Sequence, residues 1–282
     1  MIVCRTKHEV ANLISNSVKL NQTLGLVPTM GSLHQGHLSL ISEALLNNDI
    51  VWVTIFVNPT QFNDKKDFNN YPKNLEKDLD LIKNISNKIN VFHPCASEIY
   101  DGKPLLKKYN FDQLDLELEG KFRSNHFNGV ATIVSILFKL FQPLHAYFGE
   151  KDYQQTQIIN KLVDLEKINV NMIICSTVRE KNGLALSSRN KLLSIKNKEK
   201  SSIIFESLLF LKKAFNKNIN KLYLEEIKST INLFNDFEVE YLEVVNNKSL
   251  QIELELNEHE SYRAFICVSV NGVRLIDNIL LN

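Results

Sequence analysis

The chain holds little of what would tie it to a special environment. Its four cysteines, Cys4, Cys95, Cys175 and Cys267, are scattered without paired spacing. That argues against a zinc site or a disulfide framework and for reduced thiols in the cytosol. Neither sign of charge is in excess: 33 Lys and Arg against 32 Asp and Glu leave a net charge of +1. The balance excludes a broad basic footprint for nucleic acid or an acidic membrane and still allows a local basic pocket. Spanning a bilayer takes about 20 apolar residues, and the strongest run here, Ile50–Val57, has eight. The start, Met1 to His8, lacks the apolar core of a signal peptide. Internal repeats, low-complexity linkers and sustained heptads are missing too. These absences predict a cytoplasmic protein with no membrane and no nucleic-acid partner.

What remains is ordinary globular material: 282 residues, 44% hydrophobic and 23% charged, enough for about two domains with sizeable cores. One stretch organises the rest. The apolar run Leu24–Val27 leads into Pro28-Thr29-Met30-Gly31-Ser32-Leu33-His34-Gln35-Gly36-His37, and Leu38, Ile41 and Leu45 then recur at helical spacing. The order strand, tight turn, helix predicts an anion site. The first N–H groups of a helix have no internal partner, and its dipole favours negative charge. Gly31 and Gly36 let the backbone bend, and His34 and His37 fall about one turn apart on the same side of the helix entrance. Two imidazoles there can donate hydrogen bonds to the charge that builds when a nucleotide α-phosphate is attacked.

Ile50–Val57 is β-branched and aromatic without alternation, as a central parallel strand buried on both faces would be. Pro59 ends it, and in an open α/β sheet Asn58 and Gln61 then lie at the same carboxyl edge as the two histidines. Their amides suit a ligand with hydroxyls and a carboxylate, or serve only to satisfy turn backbone. Asp64–Asn70 reads as a polar loop, Leu75, Leu79 and Ile82 as a helix, and Asn90–Phe92 as a short strand. Gly120–Gly129 reads as a Gly-bounded loop before a helix from about Val130 to Phe141. Arg123 and His126 in that loop are either surface residues or a basic contact for a carboxylate or phosphate. Ala146–Phe148 is a further strand with Gly149-Glu150-Lys151-Asp152 as its exit turn, and a helix follows with Gln154 and Gln155 in its first turn. Lys151 can neutralise a phosphate, and Asp152 can bind ribose hydroxyls or cap the helix. Asn171–Cys175 is the last strand of the pattern, after which Ser187, Ser188 and Arg189 form a candidate triphosphate clamp.

From Lys196 to about Phe237 the pattern is two helix-like stretches. Strands at Val239–Val245, Leu250–Leu254, Ala264–Val270 and Val273–Leu280 follow, with a hairpin signal at Asn271-Gly272. The fold class expected is therefore α/β: a Rossmann-like parallel-sheet N-terminal domain, residues 1–176, and a smaller α+β C-terminal domain, residues 177–282.

With these residues assembled, the chain resembles the pantothenate synthetase (pantoate–β-alanine ligase) family over nearly its whole length. The resemblance rests on Pro28–His37, Phe56–Phe62, Tyr71-Pro72, Gly149–Gln155, Thr177–Glu180, Ser187–Asn190 and Leu275–Asn278. It implies that pantoate's carboxylate attacks MgATP to give pantoyl adenylate and pyrophosphate, and that β-alanine then displaces AMP. It implies catalytic roles for His37, His34, Lys151 and Arg189. It places ATP on Met30, Gly31, Ser32, Leu33, His34, Gln35, Gly36, His37, Gly149, Glu150, Lys151, Asp152, Val178, Leu186, Ser187, Ser188 and Arg189. Pantoate falls to Gln61 and Gln155; β-alanine falls to Gln61, Asn58, Tyr71 and Arg123, with His126 nearby. Asp78 is the candidate for Mg2+. The resemblance further implies a homodimer and a C-terminal domain that closes over the site. Two positions depart from the family pattern: Leu186 stands where Met is usual, and Ser124 where Pro is expected. The runner-up is an adenylyltransferase that transfers AMP to a phosphorylated acceptor and stops, and the blander alternative is a non-catalytic nucleotide-binding module.

Overall fold

The computed structural model describes residues 1–215, 221–253, 257 and 259–282. They group into two compact units. The first comprises Met1–Phe111, Arg123–Glu150 and Gln155–Ser176; the second comprises Asp112–Phe122, Lys151–Gln154 and Thr177–Asn282.

The first unit is built on six strands: β1 (Val3–Cys4), β2 (Leu24–Thr29), β3 (Ile50–Ile55), β4 (Ile89–Phe92), β5 (His145–Gly149) and β6 (Asn171–Cys175). All pairings are parallel, in the order β1-β4-β3-β2-β5-β6. From β2 onward this is a Rossmann-like arrangement, with the order reversing between β2 and β5, so a ligand crevice belongs at the carboxyl ends of those two strands. The run read as a central strand is central. Val51, Trp52 and Val53 are at most 1% exposed, because helices cover both faces of a parallel sheet and both sides of each strand must be apolar. Pro28 lies past the stretch of β2 that pairs with β5, which is Gly25 and Leu26, where its missing N–H removes no bond to that neighbour.

Two loops expected from sequence are helical instead. Lys65–Asn70 forms a helix capped by Asp64, whose side chain accepts from Lys66 N at 2.7 Å, and Phe68 packs edge-on against Phe62. The polar composition hid both the cap and this aromatic anchor. The Gly-bounded loop shrinks to three residues, since helices Glu119–Phe122 and His126–Phe141 occupy its ends.

A polar cluster ties the long helices of this unit together. Glu166 accepts from Tyr109 Oη (3.0 Å), Ser135 Oγ (2.5 Å), Lys139 Nζ (2.8 Å) and Lys107 Nζ (3.4 Å). Burial alone would raise its carboxyl, but the bonds from Lys139, Ser135 and Tyr109 outweigh that and bring it down to about 2. A depressed folded value stabilises the protein above the ordinary carboxylate range and loses that contribution as pH falls toward about 2. Glu166→Gln is therefore expected to cost about 1.5–3 kcal/mol at neutral pH, the usual worth of hydrogen bonds to a charged group. The deficit should fade as pH falls toward about 2, where half of the native carboxylate is itself protonated. Thermal melts of both proteins across pH check this; a constant difference down to acid would remove the charge from the explanation.

The second unit carries an antiparallel sheet of β7 (Phe237–Asn246), β8 (Tyr262–Val270) and β9 (Val273–Leu280), with helices Ile195–Lys200, Ser202–Ala214 and Lys221–Asn232. The first helix-like stretch is thus two helices, divided at Ser201. The hairpin at Asn271-Gly272 is present, and both residues have positive φ, 49° and 80°, the geometry that a tight two-residue connection demands and that glycine adopts without strain. The expected strand at Leu250–Leu254 appears as a single bridge between Ile252 and Val245, while Leu254 lies outside the described residues.

Candidate active site

The turn after β2 enters the helix Gln35–Asn47 with His34 as its N-cap, and the two histidines form a reciprocal capping pair. His34 Nδ1 accepts from Gly36 N at 3.2 Å, and His37 Nδ1 accepts from His34 N at 3.3 Å. Their rings lie 4.1 Å apart between centroids. A backbone N–H can only donate, so each Nδ1 must be an unprotonated acceptor, and each neutral ring carries its proton on Nε2. The cap therefore sets the tautomer that makes both imidazoles donors.

Most backbone amides of this turn are committed, which narrows the expectation that open amides form the anion site. Gly31 N donates to Thr29 Oγ1 (3.1 Å), and Ser32 N and Leu33 N to the Asp78 carboxylate (2.7 Å each). His34 N and Gly36 N are taken by the histidines, and His37 N by His34 O (2.8 Å). What this turn offers an anion is mainly imidazole Nε2–H and the helix dipole. Asp78, 2% exposed, does not fit as the magnesium ligand expected of it. Each of its oxygens accepts a short amide bond, and the side chain serves as the clamp that shapes Gly31–Leu33.

At the end of β3, Asn58 caps the 3-10 turn Pro59–Gln61. Its Nδ2 donates to Gln61 Oε1 and to Gly129 O (3.1 Å each), and its Oδ1 accepts from Thr60 N (3.3 Å), Thr60 Oγ1 (3.0 Å) and Tyr100 Oη. Both donors and the carbonyl are thus committed, so Asn58 positions Gln61 and is not a direct β-alanine contact as expected. Gly129 is helical, where composition predicts a loop boundary. It lies inside the helix His126–Phe141, and a Cβ there would meet Thr60 O at 2.4 Å and Gln61 Cα at 2.8 Å. Only a glycine lets that helix press on the turn that presents Gln61. His126, 6% exposed, places Nδ1 2.8 Å from Gln61 O, a carbonyl that can only accept, so Nδ1 carries the proton and Nε2 accepts from Arg123 Nη1 (3.2 Å). Neutral His126 therefore orients Arg123, whose Nη2 also reaches Gln61 O (3.4 Å). Tyr71, 7% exposed, packs edge-on against Phe62. Gly149 closes β5, where a Cβ would meet nothing within 4 Å; Glu150 follows it, and Gln155 is half-buried on the helix Tyr153–Glu166.

The second unit holds the remaining candidates. Lys151 Nζ lies 3.3 Å from Asp152 Oδ1, and Lys151 O accepts from Asn278 Nδ2 (2.9 Å). Val178 and Leu186 are brought together by a small hairpin, with Leu186 N donating to Val178 O (3.0 Å) and Arg179 bridged to Ala185. Beyond it Ser187 caps the turn Ser188–Leu192 by accepting from Arg189 N (3.2 Å). Asp277 braces this hairpin with a two-pronged bond to Arg179, 2.5 and 3.0 Å, and Arg179 also stacks on Phe205. Burial pushes the Asp277 carboxyl up against the pull of Arg179. Sequence reading gave Arg179 and Asp277 no role. The available signal was a lone acid on the buried side of an alternating strand, which needs a partner. Sequence reading also passed over Gln154, beside Gln155. Gln154 is 4% exposed and joins Leu114 O, Glu117 O and Glu119 N, so of the two amides it is the structural strut.

Among the described residues, no helix is long and apolar enough to cross a membrane. The sequence model of the family described as pantoate-beta-alanine ligase matches residues 2–280. A pantothenate synthetase of Flavobacterium psychrophilum is 43% identical, with 100% of each chain covered, and one of Christiangramia forsetii is 42% identical, again with 100% of each covered. The crystal structure of a pantothenate synthetase from Thermus thermophilus superposes with a TM-score of 0.90 at 33% identity, covering 100% of this chain and 99% of that one. A pantoate-beta-alanine ligase from Francisella tularensis, complexed with beta-gamma ATP and beta-alanine, gives a TM-score of 0.83 at 36% identity, covering 100% and 98%. Whole-length matches in sequence and fold, converging on one name, place this chain in the pantoate–β-alanine ligase family.

Proposed function

We propose that the protein condenses (R)-pantoate with β-alanine at the expense of ATP, through pantoyl adenylate, releasing pyrophosphate and then AMP. The observation that carries the reading is the reciprocal histidine cap, which holds two Nε2–H donors side by side at a helix entrance. In the first step a pantoate carboxylate oxygen bonds to the α-phosphorus, and the bond to pyrophosphate breaks. His34 and His37 meet the charge that grows on the phosphates, assisted by Lys151 and Arg189. In the second step the β-alanine amine bonds to the acyl carbon and AMP leaves, with water kept from the reactive anhydride. Gln61 and Gln155 hold pantoate, and Arg123, kept in place by His126, takes a carboxylate. Asp152 receives the ribose hydroxyls, Val178 and Leu186 border adenine, and Ser187 and Ser188 reach the phosphates. Magnesium, which neutralises triphosphate charge, enters with the nucleotide; Asp78 is assigned to the loop. A cytoplasmic homodimer, with residues 177–282 closing over the site, completes the proposal.

An adenylyltransferase acting on a phosphorylated acceptor is disfavoured by the acceptor side, where Gln61 presents an uncharged amide. Pyrophosphate release decides between them. It should depend on pantoate and not on a phosphorylated acceptor, and AMP should appear only when β-alanine is added. A pantoate analogue without the 2-hydroxyl should lose roughly 10- to 100-fold in kcat/KM, the cost of one buried donor left unpaired. If the deoxy analogue reacts as well as pantoate, Gln61 and Gln155 do not read that hydroxyl.

A further inference from the structure

We propose that Tyr100 is a positioning residue for the acid substrate, locking the Asn58 amide and through it the Gln61 amide, so that Gln61 presents N–H to the bound acid. This rests on the reading above that Gln61 holds that acid. Tyr100 ends the short helix Ala96–Tyr100; from sequence it is one more aromatic at a helix end.

An amide side chain is nearly symmetric in shape, so its oxygen and nitrogen are told apart only by partners whose own roles are fixed. Asn58 has two such partners: Thr60 N, which can only donate, faces Oδ1, and Gly129 O, which can only accept, faces Nδ2. The Thr60 contact is long, 3.3 Å, and alone it is a weak bias. The Tyr100 hydroxyl makes the shortest contact to Oδ1 and lies 3.2 Å from Thr60 Oγ1, itself 3.0 Å from the same oxygen. Three donors converge on one carbonyl. The second N–H of Nδ2 is then committed to Gln61 Oε1 (3.1 Å), which turns Gln61 Nε2 to Met30 Sδ at 3.2 Å. A thioether is a feeble acceptor, so a hydroxyl or carboxylate oxygen arriving with the substrate displaces it at little cost. Asn58 is 1% exposed and Gln61 8%, so solvent gives little help in choosing the orientation. Burial raises the Tyr100 phenol, which keeps its proton, and its donor role, across the working range of pH.

The test is Tyr100→Phe, which keeps the ring and removes the donor. The expected result is a rise in KM for pantoate of roughly five- to tenfold, as one lost hydrogen bond predicts, with KM for ATP unchanged. Discrimination between pantoate and its 2-deoxy analogue should narrow by a similar factor. Thr60→Val should reproduce the split in weaker form, Thr60→Ser should restore it, and this pair carries the test if Tyr100→Phe fails to fold. A parallel rise in both KM values, or none in either, overturns the proposal. Neutron crystal structures of the wild type and Tyr100→Phe, which distinguish amide nitrogen from oxygen, decide independently of substrate. A flipped, displaced or doubly oriented Gln61 amide in the variant supports the lock, and one unchanged in both position and orientation overturns it. Were the wild type to show no pantoate-dependent pyrophosphate release, the functional reading would fall while these two structures still judged the lock.

Discussion

His37→Gln is expected to slow ATP–pyrophosphate exchange by about 100- to 1,000-fold, the usual loss for one preorganised donor to transition-state charge, while leaving the fold intact. Glutamine is one of the two ordinary residues at the third position of a capping box, so it can still accept from His34 N. What it removes is the imidazole Nε2–H. His34→Asn works in the same way, because asparagine is among the best N-caps and keeps the bond from Gly36 N. The second half-reaction, started from supplied pantoyl adenylate and β-alanine, should suffer less, since no pyrophosphate leaves in it. Equal losses in both halves would indicate a general collapse of the site, and no loss in either would make the two histidines a cap and nothing more.

Arg189→Ala and Lys151→Ala should each lower the rate of adenylation by on the order of 100-fold or more, with little change in melting temperature. Among the described residues, the ion pair that Lys151 makes is to Asp152, whose side chain is 44% exposed, and pairs of that kind contribute about 0.2–1 kcal/mol. The turn that carries Arg189 is capped through its backbone N–H by Ser187, a bond that survives removal of the guanidinium. Single-turnover adenylation measured beside thermal melts separates the effects. An unchanged rate with an unchanged melt would take either residue off the phosphates.

The sequence made the parallel sheet and the histidine turn legible because both follow from local pattern. Val51–Val53 cannot be surface, and a turn between a strand and a helix brings His34 and His37 together whatever else the chain does. The supports were not legible, since they depend on partners far along the chain. Asp78 reaches back 46 residues to Ser32, and Gly129 lies against Thr60. Asp277 holds Arg179 across 98 residues. Asn58 shows the limit of residue type as a guide: an amide at the right sheet edge looks like a ligand contact until its five hydrogen bonds are counted.

The strand order also shapes how the chain comes off the ribosome. Residues up to Phe92 contain β1, β4, β3 and β2 in adjacent places, so four strands can pair before anything further is made. The strand left at the border of that half-sheet is β2, which later becomes interior and has no charged side chain to discourage a stranger. Its proper neighbour, β5, begins at His145, and synthesis at about 5–20 residues per second puts the gap at several seconds. Through that interval the nascent chain exposes a sticky edge in the strand that leads into its histidine turn. The chain is thus open to mispairing along β2 until β5 has been made.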